Sequence, residues 1–134
     1  MIALDSLPRN NRIALIGQIL GLDLTESDHR MWLFYNGDWK VGNEYNPYVI
    51  HQQSEQLFKW LVSRGDVEFT HIPNSDRIRC NYRYMPEKFK NIVKNRVLVS
   101  LVRDNVKHII ADMFICVNFP LLRMEKNYGQ ETLT

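Results

Sequence analysis

Cysteine is nearly absent from this chain: Cys80 and Cys116 are the only two in 134 residues. Two thiols allow one bridge at most, which excludes a disulfide-stapled scaffold. Both lie among apolar neighbours, in "RIRCNYRY" and "MFICVNF", so reduced core cysteines are expected. Glycine (6) and proline (5) are scarce too, and no glycine-rich run leads from a strand into a helix, which removes the phosphate-cradling loops of nucleotide enzymes. No apolar run approaches the roughly 20 residues of a membrane span. The first residues, with Asp5, Pro8, Arg9 and Arg12, do not have the basic-then-apolar layout of a secretory leader. A soluble, cytoplasmic protein with no membrane partner is the expectation.

What is present is the composition of a folded domain, 45% hydrophobic and 11% aromatic. At this length a single domain over residues 1–134 is expected. The net charge of +2 hides an asymmetry. Residues 1–76 carry six basic and ten acidic side chains, whereas residues 77–134 carry eleven and five. Within 77–107 the ratio is nine to two, which points to an acidic partner for that part of the chain.

Local patterns give an α+β order. "SLPRNNRIALIGQILGL" has Ile13, Ile16 and Ile19 at helical spacing, Ser6 as a candidate cap and Gly21 as a stop. In "MWLFYNGDWKVG", Asn36-Gly37 is the preferred two-residue hairpin turn. That turn pairs Tyr35 with Asp38, Phe34 with Trp39, Leu33 with Lys40 and Trp32 with Val41, and puts Trp32, Phe34, Trp39 and Val41 on one buried side. A second helix is expected from Asn46-Pro47 to Gly65, with a solvated polar start, "HQQSEQ". A second hairpin follows, "VEFTHI" and "RIRCNYRY" around the turn "PNSD". From Pro86 to Val117 the apolar positions change phase, which predicts a short basic helix, a break near Lys94 to Arg96, and a longer helix carrying Leu98, Leu101, Val102, Ile109, Ile110 and Met113. The expected architecture is α-ββ-α-ββ-α-α: two hairpins forming an antiparallel sheet packed against three to four helices.

Catalytic signals are weak. Ser100, Asp104 and His108 fall four apart on the expected helix, but the acid occupies the middle place that a triad gives to histidine. They are read as a solvated face. His51 with Glu55, and His108 with Asp112, have the spacing of two metal ligands on a helix but no third partner, so polar helix surface is the expectation for both pairs. No catalytic residue, metal or cofactor is assigned.

The basic band carries the functional expectation. Alternation in "RIRCNYRY" puts Arg77, Arg79 and Arg83 on one face and Ile78, Cys80, Tyr82 and Tyr84 on the other. Lys88, Lys90, Lys94 and Arg96 continue the band on the helix expected after it. Trp32, Trp39 and Trp60 are assigned to the core, and Tyr45 and Tyr48, flanking Asn46-Pro47, to an exposed loop near the partner. These residues suggest a small non-catalytic inhibitor, adaptor or assembly subunit that engages an acidic protein or nucleoprotein. The alternatives are direct, largely sequence-independent nucleic-acid binding through phosphates and, third, a cryptic nuclease or other enzyme. A homo-oligomer is compatible with the same reading.

Overall fold

In the computed structural model the backbone is described for residues 4–24, 30–35, 38–85, 96–119 and 129–133, and side chains for 4–22, 44–85 and 96–119. The fold is α+β. After a 3-10 turn at Leu4–Ser6 the order is α1 (Arg9–Leu20), β1 (Asp23–Leu24), β2 (Arg30–Tyr35), β3 (Asp38–Glu44), α2 (His51–Arg64), β4 (Gly65–His71), β5 (Ile78–Tyr84), β6 (Arg96–Arg103), α3 (Val106–Asn118) and β7 (Gly129–Leu133). The strands make two antiparallel sheets, β1-β2-β3 and β4-β5-β6-β7.

Both hairpins are present. β2 and β3 pair in the expected register, Trp32 with Val41 through Tyr35 with Asp38. The Asn36-Gly37 turn and the side chains of Trp32, Phe34, Trp39 and Val41 lie outside the described residues. β4 and β5 pair without a bulge from Gly65–Tyr84 to His71–Ile78. Their turn is closed by the Ile72 N–H donating to the Arg77 carbonyl at 2.9 Å. Asn74 supplies its left-handed residue (φ 61°), and the Ser75 hydroxyl donates to the Ile72 carbonyl at 3.0 Å.

The main difference from expectation lies in residues 98–102. They form strand β6, paired along β5 from Ile78–Arg103 to Tyr84–Val97, and α3 starts only at Val106. "RVLVSLVR" fits both periods: Leu98, Leu101 and Val102 make a helical stripe, and Val97, Val99 and Leu101 make a strand face. Its β-branched valines and the bare edge of β5 select the strand. The break expected near Lys94 to Arg96 coincides with the start of β6 at Arg96, and the switch from strand to helix comes later, across Asp104-Asn105, where the Asn105 side chain caps α3 by accepting from the Lys107 N–H at 2.9 Å. The short helix expected before Lys94 lies outside the described residues.

Helix α2 begins at His51, later than its sequence signals suggest. Pro47–Val49 form a separate turn on Asn46, whose carbonyl accepts from the Ile50 N–H at 2.8 Å. Gly65 ends the helix in an extended conformation and is already the first residue of β4. A Cβ there would lie 2.5 Å from the Arg83 carbonyl oxygen, so close approach of β5 requires the glycine.

The core forms between the inner face of the second sheet and the three described helices. Cys80, Tyr82, Val99 and Leu101 supply the sheet side. Helix α3 runs through the middle, and every residue from Ile109 to Cys116 is buried. Trp60 packs edge-on against Phe114 at 4.9 Å between ring centroids, and the Tyr82 hydroxyl donates to the Leu61 carbonyl at 2.7 Å, tying β5 to α2. Both cysteines are free and buried, and burial pushes each thiol up to about 12, which keeps them protonated and inert at neutral pH. Among the described residues no helix is long and apolar enough to cross a membrane.

Candidate functional site

Because side chains alternate across a strand, "RIRCNYRY" divides as its sequence implies. Cys80 and Tyr82 are buried inward, and Arg79 is exposed outward with Asn81 and Arg83 partly so. Antiparallel register sets the neighbours: Arg83 lies opposite Asp66, Asn81 opposite Glu68, and Arg79 opposite Thr70. On the other flank Arg83, Asn81 and Arg79 face Leu98, Ser100 and Val102. The Ser100 hydroxyl donates to Asn81 Oδ1 at 2.7 Å and fixes the centre of this face. The outer face thus carries an acidic column on β4 beside a basic column on β5, one strand spacing of about 5 Å away. Among the described residues neither Arg79 nor Arg83 has an ion-pair partner.

The remaining members of the basic band are dispersed. Arg96 opens strand β6 and its guanidinium pairs with the Asp66 carboxylate. Arg77 lies just before β5, exposed, at an open cleft of about 630 Å³ that Asp5, Arg12, Asp76, Val102, Arg103 and Asp104 also line. Three arginines and three aspartates there leave no excess of either sign. Lys88, Lys90 and Lys94 lie outside the described residues.

Tyr45 and Tyr48 are core residues, 2% and 3% exposed, and not a surface pair. Both rings are buried beside the turn on Asn46, and that of Tyr48 lies against His108 and Asp112 of α3. Burial raises the pKa of both hydroxyls, and for Tyr48 the adjacent Asp112 carboxylate raises it further.

Asp112 overturns the expectation of a polar helix surface: it is 1% exposed. Its Oδ1 accepts from the Tyr48 hydroxyl at 2.6 Å and from Arg12 Nη1 at 3.2 Å. Its Oδ2 accepts from the same Arg12 nitrogen at 3.1 Å and from Arg103 Nε at 3.0 Å. Arg103 Nη2 also donates to Asp5 Oδ1 at 2.7 Å, while Arg12 Nε donates to the Leu7 carbonyl at 3.0 Å. One carboxylate therefore gathers α1, the segment before α2, the end of β6 and, through arginine, the 3-10 turn. Burial alone disfavours the Arg12 charge, but Asp112 and Tyr48 outweigh it and raise its pKa. With both oxygens fully engaged, Asp112 serves as a structural hub.

His108 sits at the edge of this hub. Arg9 Nη2 donates to its Nε2 at 3.3 Å, Arg9 also lies 4.9 Å over the Tyr48 ring, and the two rings meet edge-on at 5.5 Å. Burial and Arg9 lower the His108 pKa, against the opposing pull of Asp112 and Asp104. Ser100, Asp104 and His108 occupy a strand, a turn and a helix, so they share no helical stripe. His51 and Glu55 remain an exposed pair on α2 at 3.8 Å, with Lys59 also bonded to Glu55 at 3.3 Å. No group of three or more metal-ligating side chains occurs among the described residues.

Comparison with family models, characterised proteins and solved structures finds no match to this chain.

Proposed function

We propose that this is a small non-catalytic binding protein whose outer sheet face, centred on Arg79 and Arg83, docks an acidic partner protein, as an inhibitor, adaptor or assembly subunit does. The observation that supports it is that, among the described residues, those two arginines have no ion-pair partner and stand on a strand paired on both sides. Their planar guanidinium groups are suited to two-point bonds with carboxylates.

A protein ligand is favoured over a nucleic acid by the column beside them. A polyphosphate laid along Arg79 and Arg83 would also meet Asp66 and Glu68 about 5 Å away and be repelled. A folded partner can match both columns, with acidic side chains over β5 and donors over β4.

Affinity capture with the wild-type chain and with the Arg79→Ala/Arg83→Ala double variant tests the proposal, alongside anisotropy titrations of labelled single- and double-stranded oligonucleotides from about 50 to about 200 mM salt. The expected result is an acidic protein retained by the wild type and lost from the variant, with no oligonucleotide binding at the lowest salt. Micromolar oligonucleotide affinity with a steep salt slope, abolished in the variant, would replace the protein partner by nucleic acid.

A further inference from the structure

Strand β4 ends the second sheet: among the described residues it pairs with β5 on one side and with nothing on the other. The turn fixes which backbone groups are left over. Ile72 and Arg77 form a hydrogen-bonded pair, so with no bulge the residues two, four and six places back, Thr70, Glu68 and Asp66, also bond to β5. Val67, Phe69 and His71 consequently turn their N–H and C=O groups toward the open edge.

The side chains around this edge have two characters. Phe69 is 38% exposed and stacks on Phe58 at 6.1 Å, and Val62 beside them on α2 is 51% exposed, so the core-side margin of the edge is apolar. The outer margin is acidic, with Asp66 shared with Arg96 and Glu68 without an ion-pair partner among the described residues. An isolated edge is ordinarily protected by a charge pointing into it or by a cover; here open donors and acceptors lie beside exposed aromatic surface.

We infer that β4 receives an extended segment of a partner protein as a fifth strand, and that this segment alternates Lys or Arg with apolar residues. Main-chain bonds to Val67, Phe69 and His71 hold it, its basic residues lie over Asp66 and Glu68, and its apolar ones lie on Phe69, Phe58 and Val62. A second copy of this chain fits less well. Full antiparallel pairing of two Gly65–His71 strands puts the two-fold axis at Glu68 and sets its carboxylate opposite its own copy. The site borders the Arg79/Arg83 face and shares its acidic column, Asp66 and Glu68, but makes no use of the two arginines.

The test is amide exchange followed by NMR, with a blocked nine-residue peptide alternating lysine and valine as the probe and a glutamate–valine peptide as its control. In the free protein Val67, Phe69 and His71 amides exchange fast while those of Glu68 and Thr70 are protected. The lysine peptide slows the fast set at least tenfold and the glutamate peptide leaves it unchanged. Val67→Pro removes an outward donor without removing a β4–β5 bond and abolishes binding, Glu68→Lys weakens it at least tenfold, and Arg79→Ala/Arg83→Ala leaves it intact. Three results would overturn the inference: the fast set already protected in dilute free protein, peptide binding that leaves those amides unchanged, or protection that grows with protein concentration alone, which would identify a second copy as the occupant.

Discussion

The outer face of β5 and the surroundings of Asp112 use the same residue types for opposite ends. On β5, Arg79 and Arg83 stand toward water, each held by its strand and by no ion pair among the described residues. Around Asp112, Arg12 and Arg103 are drawn in until their side chains are 18% and 15% exposed, against a carboxylate at 1%. Charges in water interact weakly with their neighbours and stay available to a ligand. Charges withdrawn from water bind each other firmly because an unmatched one would be very costly. An arginine's role here follows from its surroundings: the same guanidinium serves as cement in one place and as a free hand in the other.

Breaking the buried hub should give the largest effect. Asp112→Ala leaves two partly buried guanidinium groups and a buried hydroxyl without their acceptor, and a loss of about 3–5 kcal/mol is expected in urea or guanidinium unfolding. Tyr48→Phe removes one hydrogen bond to a charged acceptor and should cost about 1.5–3 kcal/mol by the same measurement. Next comes the pH dependence contributed by His108. Its folded pKa lies below the ordinary 6.5. As pH falls through 6.5 the unfolded chain therefore takes up a proton that the folded chain refuses. Stability is fully retained above that value and declines toward the lowered one, and His108→Gln should flatten this part of the stability–pH curve. At the other extreme, Arg79→Ala and Arg83→Ala should change stability by no more than about 0.5 kcal/mol. If either cost as much as Tyr48→Phe, the distinction between the two sets of arginines would fail.

The two regions also differ in how far they could be read from the sequence. Alternation in "RIRCNYRY" and the turn chemistry of "PNSD" and "NG" act over a few residues, so the faces of β5 and the register of β2 with β3 follow from local rules. The Asp112 hub is assembled from positions 5, 12, 48, 103 and 112, and only the chain's long-range path brings them together. The sequence carries one signal for it: Asp112 interrupts the apolar run "HIIADMFICV", and a lone carboxylate within such a run implies a buried cation. A helix continued back through residues 98–102 hides this signal, because its phase turns Asp112 toward water. Reading β6 as a strand removes that phase and leaves α3 apolar on all sides but one. Tyr45 and Tyr48 differ from expectation for a related reason: proximity to Asn46-Pro47 indicates a turn, and a turn can still fold its aromatic rings inward.

The sharing of Asp112 among Arg12, Tyr48 and Arg103 has a consequence for descent. Each of the four is held by the others in a largely buried cluster, so a lineage that alters one is expected to alter its companions in step. Distant kin of this chain should therefore be recognisable by the quartet Arg-Tyr-Arg-Asp, in that order and at comparable spacings. The outer face of β4 and β5 carries no such interlock among the described residues and would be free to drift, so that quartet would persist after overall likeness had been erased.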